Sequence, residues 1–301
     1  MTAVLSATET DASLLPHVDA ESVSRTGNGV RLHTVAAGNE DDPLVVLLHG
    51  FPEFWYAWRH QIAPLVDAGY RVLVPDQRGY NLSDKPSGVR AYRQPVLSQD
   101  IVDLIETEGR DSAHLVGHDW GGMVAWDLVL RRPAVVDRLA VINAPHPVAF
   151  RRHLASNLEQ LRRSWYAFAV QLPWLPERLC RYDDYRLLER ALRTSSALGT
   201  FSDAELRCYR TAWARSGALT GMLNWYRASA RYPPDPPQAR VDAPTLVCWG
   251  ENDEALVAEL AIDSYDWCSN GRLERLPETS HWVPHERPER TTEALLDHLD
   301  G

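Results

Sequence analysis

Short apolar runs alternate with stretches of helical periodicity through most of the chain. Runs rich in valine, isoleucine and leucine lie at 44–48, 72–74, 114–116, 139–142 and 245–248. Continuous apolar strands separated by helices are typical of a mostly parallel sheet that is covered on both faces. Between two runs, Leu97, Ile101, Leu104 and Ile105 recur at helical spacing, and Gly109 can end that helix. The pattern therefore predicts an α/β fold.

The strand pattern is interrupted between residues 146 and 234, where arginine, leucine, tryptophan and tyrosine recur at helical spacings. The proline-rich segment 232–244 ends this stretch, because successive prolines cannot continue a helix. We expect an α/β core formed by 1–145 and 235–301, with 146–234 as an inserted helical cap. Residues 1–20 are expected to be a frayed leader, and 288–299 a closing helix with proline in its first turn.

Composition excludes several classes of partner. The 301 residues carry a net charge of -10 and no basic run, which argues against a nucleic-acid partner. No apolar run approaches the roughly 20 residues of a membrane span, and the first residues lack the features of a signal peptide. The four cysteines are far apart and form no CxxC pair, so no zinc or redox motif is indicated. We expect a cytoplasmic monomer or homodimer that needs no metal or cofactor.

The segment His-Leu-Val-Gly-His-Asp-Trp-Gly-Gly at 114–122 contains the candidate nucleophile. It has the form of the G-x-S-x-G elbow, with Asp119 in the place of serine. Gly117 and Gly121 suit a sharp strand-to-helix turn that leaves no room for Cβ atoms. An aspartate is ionised at neutral pH, and its attack on a saturated carbon with a leaving group gives an alkyl-enzyme ester. The alternative is an aspartate that only caps a helix.

Hydrolysis of such an ester requires a general base and a group that orients it. His281 follows the last strand-like run, where the histidine of a hydrolase triad falls in chain order, and His285 is its competitor. The orienting acid is expected just after the run 245–248. Asp253 is preferred there, with Glu251 and Glu254 as alternatives. A solvated turn carboxylate is the other interpretation of Asp253.

An oxyanion site is normally built from the backbone N–H groups of two loops. His-Gly-Phe-Pro-Glu at 49–53 directly follows the run 44–48, so the N–H of Phe51 can pair with that of Trp120. A plain turn would explain this pentapeptide if it stood alone.

Six segments together resemble the epoxide hydrolases of the α/β-hydrolase family: HGFPEFWYAWRHQ, DQRGY, GHDWGG, NAPHP, NWYR and SHWVPHERPE. The resemblance covers the chain from about Val30 to its end. It implies an α/β-hydrolase fold with a helical lid and a small-molecule epoxide as substrate. One departure is Asn81, where many members of the family carry glycine, and it puts the local turn in question.

In the family that the chain resembles, two lid tyrosines donate hydrogen bonds to the epoxide oxygen. The match implies Tyr226 in Asn-Trp-Tyr-Arg for one and Tyr166 in Trp-Tyr-Ala-Phe for the other. A protonated phenol can donate to the basic oxygen that leaves as the ring opens. With Phe51 and Trp120, these tyrosines are the expected substrate-binding residues.

Two other functions compete with this interpretation. Haloalkane dehalogenases share the aspartate nucleophile, and Trp120 would suit their halide site. Phe51, however, stands where they commonly have asparagine. A non-catalytic ligand receptor could reuse the same fold, because a fold alone does not fix function. Such a receptor could lose triad members, whereas Asp119, Asp253 and His281 are all present.

Overall fold

The computed structural model describes residues 3–4 and 10–301. Within these residues, nine strands form one sheet in the order β1-β2-β3-β5-β4-β6-β7-β8-β9. The strands from β1 to β3 and the β3–β5 pair are antiparallel, whereas β5, β4, β6, β7, β8 and β9 are parallel. The strands are β1 (Ala3–Val4), β2 (Ala20–Gly27), β3 (Val30–Ala37), β4 (Leu44–Leu48), β5 (Arg71–Pro75), β6 (Ala113–His118), β7 (Val136–Ile142), β8 (Thr245–Gly250) and β9 (Gly271–Leu276).

Helices flank this sheet and fill the long interval between β7 and β8. They are α1 (Ile62–Asp67), α2 (Gln94–Thr107), α3 (Trp120–Arg131), α4 (Pro147–Ser156), α5 (Leu158–Arg163), α6 (Trp165–Ala169), α7 (Leu175–Thr194), α8 (Asp203–Ala214), α9 (Ala218–Arg231), α10 (Glu259–Tyr265), α11 (Val283–Glu286) and α12 (Pro288–Leu299). Short 3-10 helices lie at Ala12–Leu14, Trp55–Trp58, Val89–Tyr92 and Pro133–Val135. Non-helical backbone at residues 182–185 kinks α7.

The predicted architecture, a mostly parallel sheet flanked by helices with an inserted helical cap, is confirmed. Every residue of β4, β5 and β8 is buried, as expected of parallel strands that are covered on both faces. The cap comprises α4 to α9, between β7 and β8. The domain limits at 146 and 234 stay predictions.

Besides the two-residue strand β1, two parts of the sheet were missed by the periodicity. The β2–β3 hairpin turns at Asn28 and Gly29, whose φ angles of 47° and 72° are both positive, as a type I′ turn requires. Asn-Gly is a strong hairpin signal that apolar runs alone do not reveal. The edge strand β9 reads Gly-Arg-Leu-Glu-Arg-Leu and is only partly buried, so it lacks the apolar run used to find the other parallel strands.

The expectation of a frayed leader does not describe residues 10–20, and residues 1–2 and 5–9 lie outside the described part. Thr10 is fully buried, and its carbonyl accepts a hydrogen bond from Nε1 of Trp55 at 2.8 Å. Its hydroxyl donates to Asn81 Oδ1 at 2.8 Å. Asn81 has a φ of 33°, which asparagine tolerates better than most residues, and its Nδ2 donates to Asp76 Oδ2 at 2.8 Å. This departure from glycine is therefore accommodated within the turn.

Among the described residues, no helix has the length and apolar character needed to cross a membrane. The same part of the chain holds no group of three or more histidine, cysteine or carboxylate side chains placed to bind a metal.

Candidate active site

The carboxyl ends of the parallel strands bring the candidate residues to one edge of the sheet. Phe51 follows β4, Asp119 follows β6, Asn143 follows β7, Asp253 follows β8 and His281 follows β9. Loops at this edge are the usual ligand sites of open α/β sheets, because neighbouring parallel strands end side by side. Residues far apart in sequence therefore meet here.

Asp119 occupies a strained turn between β6 and α3. Its φ of 51° and ψ of −121° lie outside the regions that most residues adopt, a conformation that costs about 1–3 kcal/mol. Two glycines permit the turn. A Cβ at Gly121 would lie 2.1 Å from the carbonyl oxygen of Leu48, and one at Gly117 would lie 2.5 Å from that of Gly121. The tight packing holds the aspartate at the tip of the turn.

The two oxygens of the Asp119 carboxylate have different neighbours. The backbone N–H of Phe51 donates to Oδ1 at 2.8 Å. Oδ2 lies 3.6 Å from Nε2 of His281. Asp119 also directly precedes α3, whose N-terminal dipole favours a negative charge at this place. One oxygen is thus fixed by the backbone while the other faces the candidate base.

His281 and Asp253 form a buried pair. Nδ1 of His281 lies 2.6 Å from Oδ2 of Asp253, and Oδ1 accepts the N–H groups of Ala255 at 2.7 Å and Leu256 at 3.0 Å. Burial raises the pKa of Asp253, but His281 and these hydrogen bonds outweigh it and hold the pKa below its usual value. Burial has the opposite effect on His281, whose pKa it lowers. The charges of Asp253 and Asp119 outweigh burial and raise the pKa of His281 well above its usual range.

The alternative residues for the orienting acid and the base do not contact the Asp119 carboxylate or each other. Glu251 pairs with Arg275, and Glu254 is exposed to solvent. His285 is turned away from Asp119, with Nε2 bonded to Oε1 of Glu53 at 2.7 Å. Of these carboxylates and histidines, only Asp253 and His281 contact each other beside Asp119.

The two tyrosines lie together on the cap side of the site. The ring of Tyr226, on α9, packs edge-on against Phe51 at 5.2 Å, Trp120 at 4.9 Å and Tyr166 at 5.8 Å. Burial is the main cause that raises the pKa of both phenols above its usual value, and the charge of Asp119 adds to it. Both hydroxyls are therefore protonated and can donate hydrogen bonds at neutral pH.

A buried carboxylate beneath the site was missed by the sequence analysis. Glu53 accepts hydrogen bonds from His118 Nδ1 at 3.2 Å, His285 Nε2 at 2.7 Å and the hydroxyl of Tyr209 at 2.8 Å. Burial raises its pKa, but the two histidines prevail and keep it well below the usual value. Nε2 of His118 also lies 2.9 Å from the carbonyl oxygen of His281, so the network supports the backbone of that residue.

Asn143 also escaped the sequence analysis, although it lies in the segment NAPHP. It is fully buried with a φ of 42°, and its Nδ2 donates to Asp253 Oδ2 at 2.8 Å and to the carbonyl of Gly250 at 3.1 Å. Its Oδ1 accepts the N–H of Gly250 at 2.8 Å. The amide thereby fixes both the end of β8 and the orientation of the acid.

Helix α5 of the cap holds the loop that carries Asp253. The buried Gln160 donates to the carbonyl of Ala255 and accepts the N–H of Val257, each at 2.9 Å. The guanidinium of Arg163 donates to the carbonyl oxygens of Asp253 and of Leu256, the latter at 3.0 Å. The helix just before Tyr166 is thus joined to the loop that orients His281.

Comparison with known proteins identifies the family and supports the fold. Residues 43–288 match the model of the alpha/beta hydrolase fold family. The AB hydrolase superfamily protein YfhM of Bacillus subtilis is 45% identical over 90% of this chain and 95% of its own length. Epoxide hydrolase 1 of Caenorhabditis elegans is 39% identical over 90% of this chain and 68% of its own. The crystal structure of Bacillus megaterium epoxide hydrolase superposes with a TM-score of 0.85 at 30% identity, covering 92% of this chain and all of that one.

The chain belongs to the epoxide hydrolases of the α/β-hydrolase fold family. It is accordingly an enzyme, and the interpretation as a non-catalytic receptor falls away.

Proposed function

We propose that this epoxide hydrolase converts an epoxide to a vicinal diol through a covalent ester on Asp119. The observation that carries the proposal is the arrangement of the carboxylate, with Oδ1 bound by the Phe51 N–H and Oδ2 facing His281 Nε2. Such an arrangement leaves one oxygen free to attack carbon and places a base beside the ester that results.

In the first step, Asp119 attacks a ring carbon and the C–O bond breaks. Tyr166 and Tyr226 donate hydrogen bonds to the epoxide oxygen, which takes a proton from one of these phenols and becomes a hydroxyl group. Esterification removes the charge of Asp119, one of two charges that raise the pKa of His281. The imidazolium therefore becomes more acidic and releases its proton to solvent, while the phenolate regains a proton from solvent. Protonated phenols beside the nucleophile can donate to a strongly basic alkoxide, whereas a departing halide ion needs no proton. The two tyrosines therefore favour an epoxide over a haloalkane as substrate.

In the second step, neutral His281 takes a proton from water while the hydroxide adds to the Asp119 ester carbonyl. The N–H groups of Phe51 and Trp120 stabilise the oxyanion, and Asp253 stabilises the imidazolium that forms. Collapse of the tetrahedral intermediate releases the diol and regenerates the carboxylate. The atoms of epoxide and water account for the product, so the scheme uses no metal and no organic cofactor.

The variant His281→Gln tests the order of these steps. It retains the nucleophile but lacks the base, so an ester should accumulate, and intact-mass spectra should show enzyme plus one epoxide. The double variant Asp119→Ala/His281→Gln is the control and should stay unmodified. A His281→Gln enzyme that turns over no substrate and yet shows only its own mass would contradict the scheme.

A further inference from the structure

Helix α5 and the segment after it present their apolar side to solvent. Leu158, Leu161, Trp165, Phe168 and Leu172 recur at the three- and four-residue spacing that normally marks a buried face, and all five are exposed. Leu158 is 79% exposed and Trp165 68%. The opposite side of α5 holds the buried Gln160 against the loop of Asp253, so this helix points its polar side inward and its apolar side outward.

The concentration of apolar surface in the cap is unusual. Of the twelve large hydrophobic side chains that are exposed in the described part of the chain, ten lie between residues 158 and 198. Trp174 and Tyr182 line one open groove together with Arg178 and Arg181, and the carboxylate in that groove, Glu177, is paired with Arg227. Exposed apolar side chains concentrated in one part of a protein are typical of an interaction site.

The charge of this part of the chain is opposite to that of the rest. Residues 146–195 contain nine arginines and five carboxylates, whereas the rest contains 22 basic and 36 acidic residues. Six of the nine arginines are exposed and make no ion pair within the described part of the chain: Arg151, Arg152, Arg162, Arg178, Arg181 and Arg190. These unpaired arginines lie in the same part of the chain as the exposed tryptophan and leucine side chains. Together they complement a partner surface that has anionic groups on the outside and an apolar layer beneath them.

We propose that the outer face of the cap, residues 158–182, docks on an anionic phospholipid bilayer. Tryptophan, phenylalanine and leucine enter the boundary between headgroups and acyl chains, and the arginines bind lipid phosphates. A second copy of the chain is a poorer occupant, because a two-fold interface would place this positive patch against its own image. The rest of the molecule is acidic, so the anionic bilayer repels it. This repulsion helps to orient the cap toward the bilayer.

Flotation with vesicles tests the proposal on the whole enzyme. Wild type should bind vesicles of phosphatidylcholine with phosphatidylglycerol, bind pure phosphatidylcholine weakly, and lose binding as salt is raised. The variants Trp165→Ser/Phe168→Ser and Arg162→Glu/Arg178→Glu should each weaken binding by at least about tenfold. The matched control Ile262→Ser/Arg90→Glu changes exposed residues outside the cap and should bind as wild type does. Diol formation from a water-soluble epoxide, measured without vesicles, should be unchanged in all three variants.

Absence of wild-type binding to anionic vesicles would overturn the proposal, and so would equal weakening in the control variant. Sedimentation velocity gives the remaining outcome. A wild-type dimer that Trp165→Ser/Phe168→Ser converts to monomer would show that a second copy covers this face.

Discussion

The backbone N–H of Phe51 donates a hydrogen bond of 2.8 Å to Oδ1 of the Asp119 carboxylate. In the proposed ester this oxygen is the carbonyl oxygen, which carries the negative charge when water adds. The donor therefore needs no rearrangement between the two steps, and such preorganisation is the main source of electrostatic stabilisation in acyl transfer.

Replacing both tyrosines tests their role in ring opening. The double variant Tyr166→Phe/Tyr226→Phe should lower the rate of ester formation by roughly 10²–10⁴, because the epoxide oxygen then leaves without a hydrogen-bond donor. Substrate affinity should change little. Rapid-quench mass spectrometry measures the rate, and Tyr182→Phe, at an exposed position, is the control. An unchanged rate would show that other groups protonate the oxygen.

The pH dependence of turnover tests the pairing of His281 with Asp253. Because the carboxylate raises the pKa of the imidazole, the change Asp253→Asn should lower that pKa. Neutral base then persists to lower pH, so the acidic limb of the kcat profile should move to lower pH. The maximal rate should fall by roughly 10²–10⁴, since the ring loses its orienting acceptor. The exposed neighbour Glu254→Gln should leave both quantities unchanged.

Glu53 should stabilise the fold in a pH-dependent way. Its pKa is depressed in the folded state, so its contribution is fully present above the unfolded value of about 4.3 and is lost as the pH falls below it. The variant Glu53→Gln should lower the unfolding free energy at pH 7 by roughly 3 kcal/mol. Urea denaturation at pH 7 and pH 4 should show a smaller difference between variant and wild type at the lower pH. A difference that grows with acidification would be inconsistent with this role.

Gln160 should couple the cap to the triad. The change Gln160→Leu leaves the carbonyl of Ala255 and the N–H of Val257 without their partners, which costs about 1–3 kcal/mol for each buried group. We expect a lower melting temperature and a lower kcat, because the loop of Asp253 loses its support. Thermal unfolding and steady-state kinetics measure both effects. The exposed Arg162→Gln on the same helix is the control, and equal losses in both variants would argue against specific coupling.

The sequence reveals features that depend on neighbouring residues but not contacts between residues far apart in the chain. The turn at Asp119 could be predicted because its glycines lie within two residues, and the parallel strands because their burial makes them continuously apolar. The contacts of Glu53 with His118, His285 and Tyr209 join side chains far apart in the chain, and no spacing along the sequence encodes them.

Two other features could not be predicted from the sequence because they depend on contacts between distant segments. The stripe beginning at Leu158 has the spacing of a core helix and yet lies in solvent, because the buried side of α5 is chosen by the hydrogen bonds of Gln160 and Arg163. Asn143 lies in the segment NAPHP, but its hydrogen bond to Asp253 exists only because β7 pairs with β8. That pairing is not evident from the sequence.

A single turnover in water labelled with heavy oxygen tests the covalent ester most directly. With enzyme in excess over epoxide, hydrolysis at the ester carbonyl should place the label in the Asp119 carboxylate, detected by mass spectrometry of the peptide that contains it. The first diol released should carry no label, since its new oxygen comes from the aspartate. Label in that diol, with an unlabelled Asp119 peptide, would contradict the mechanism.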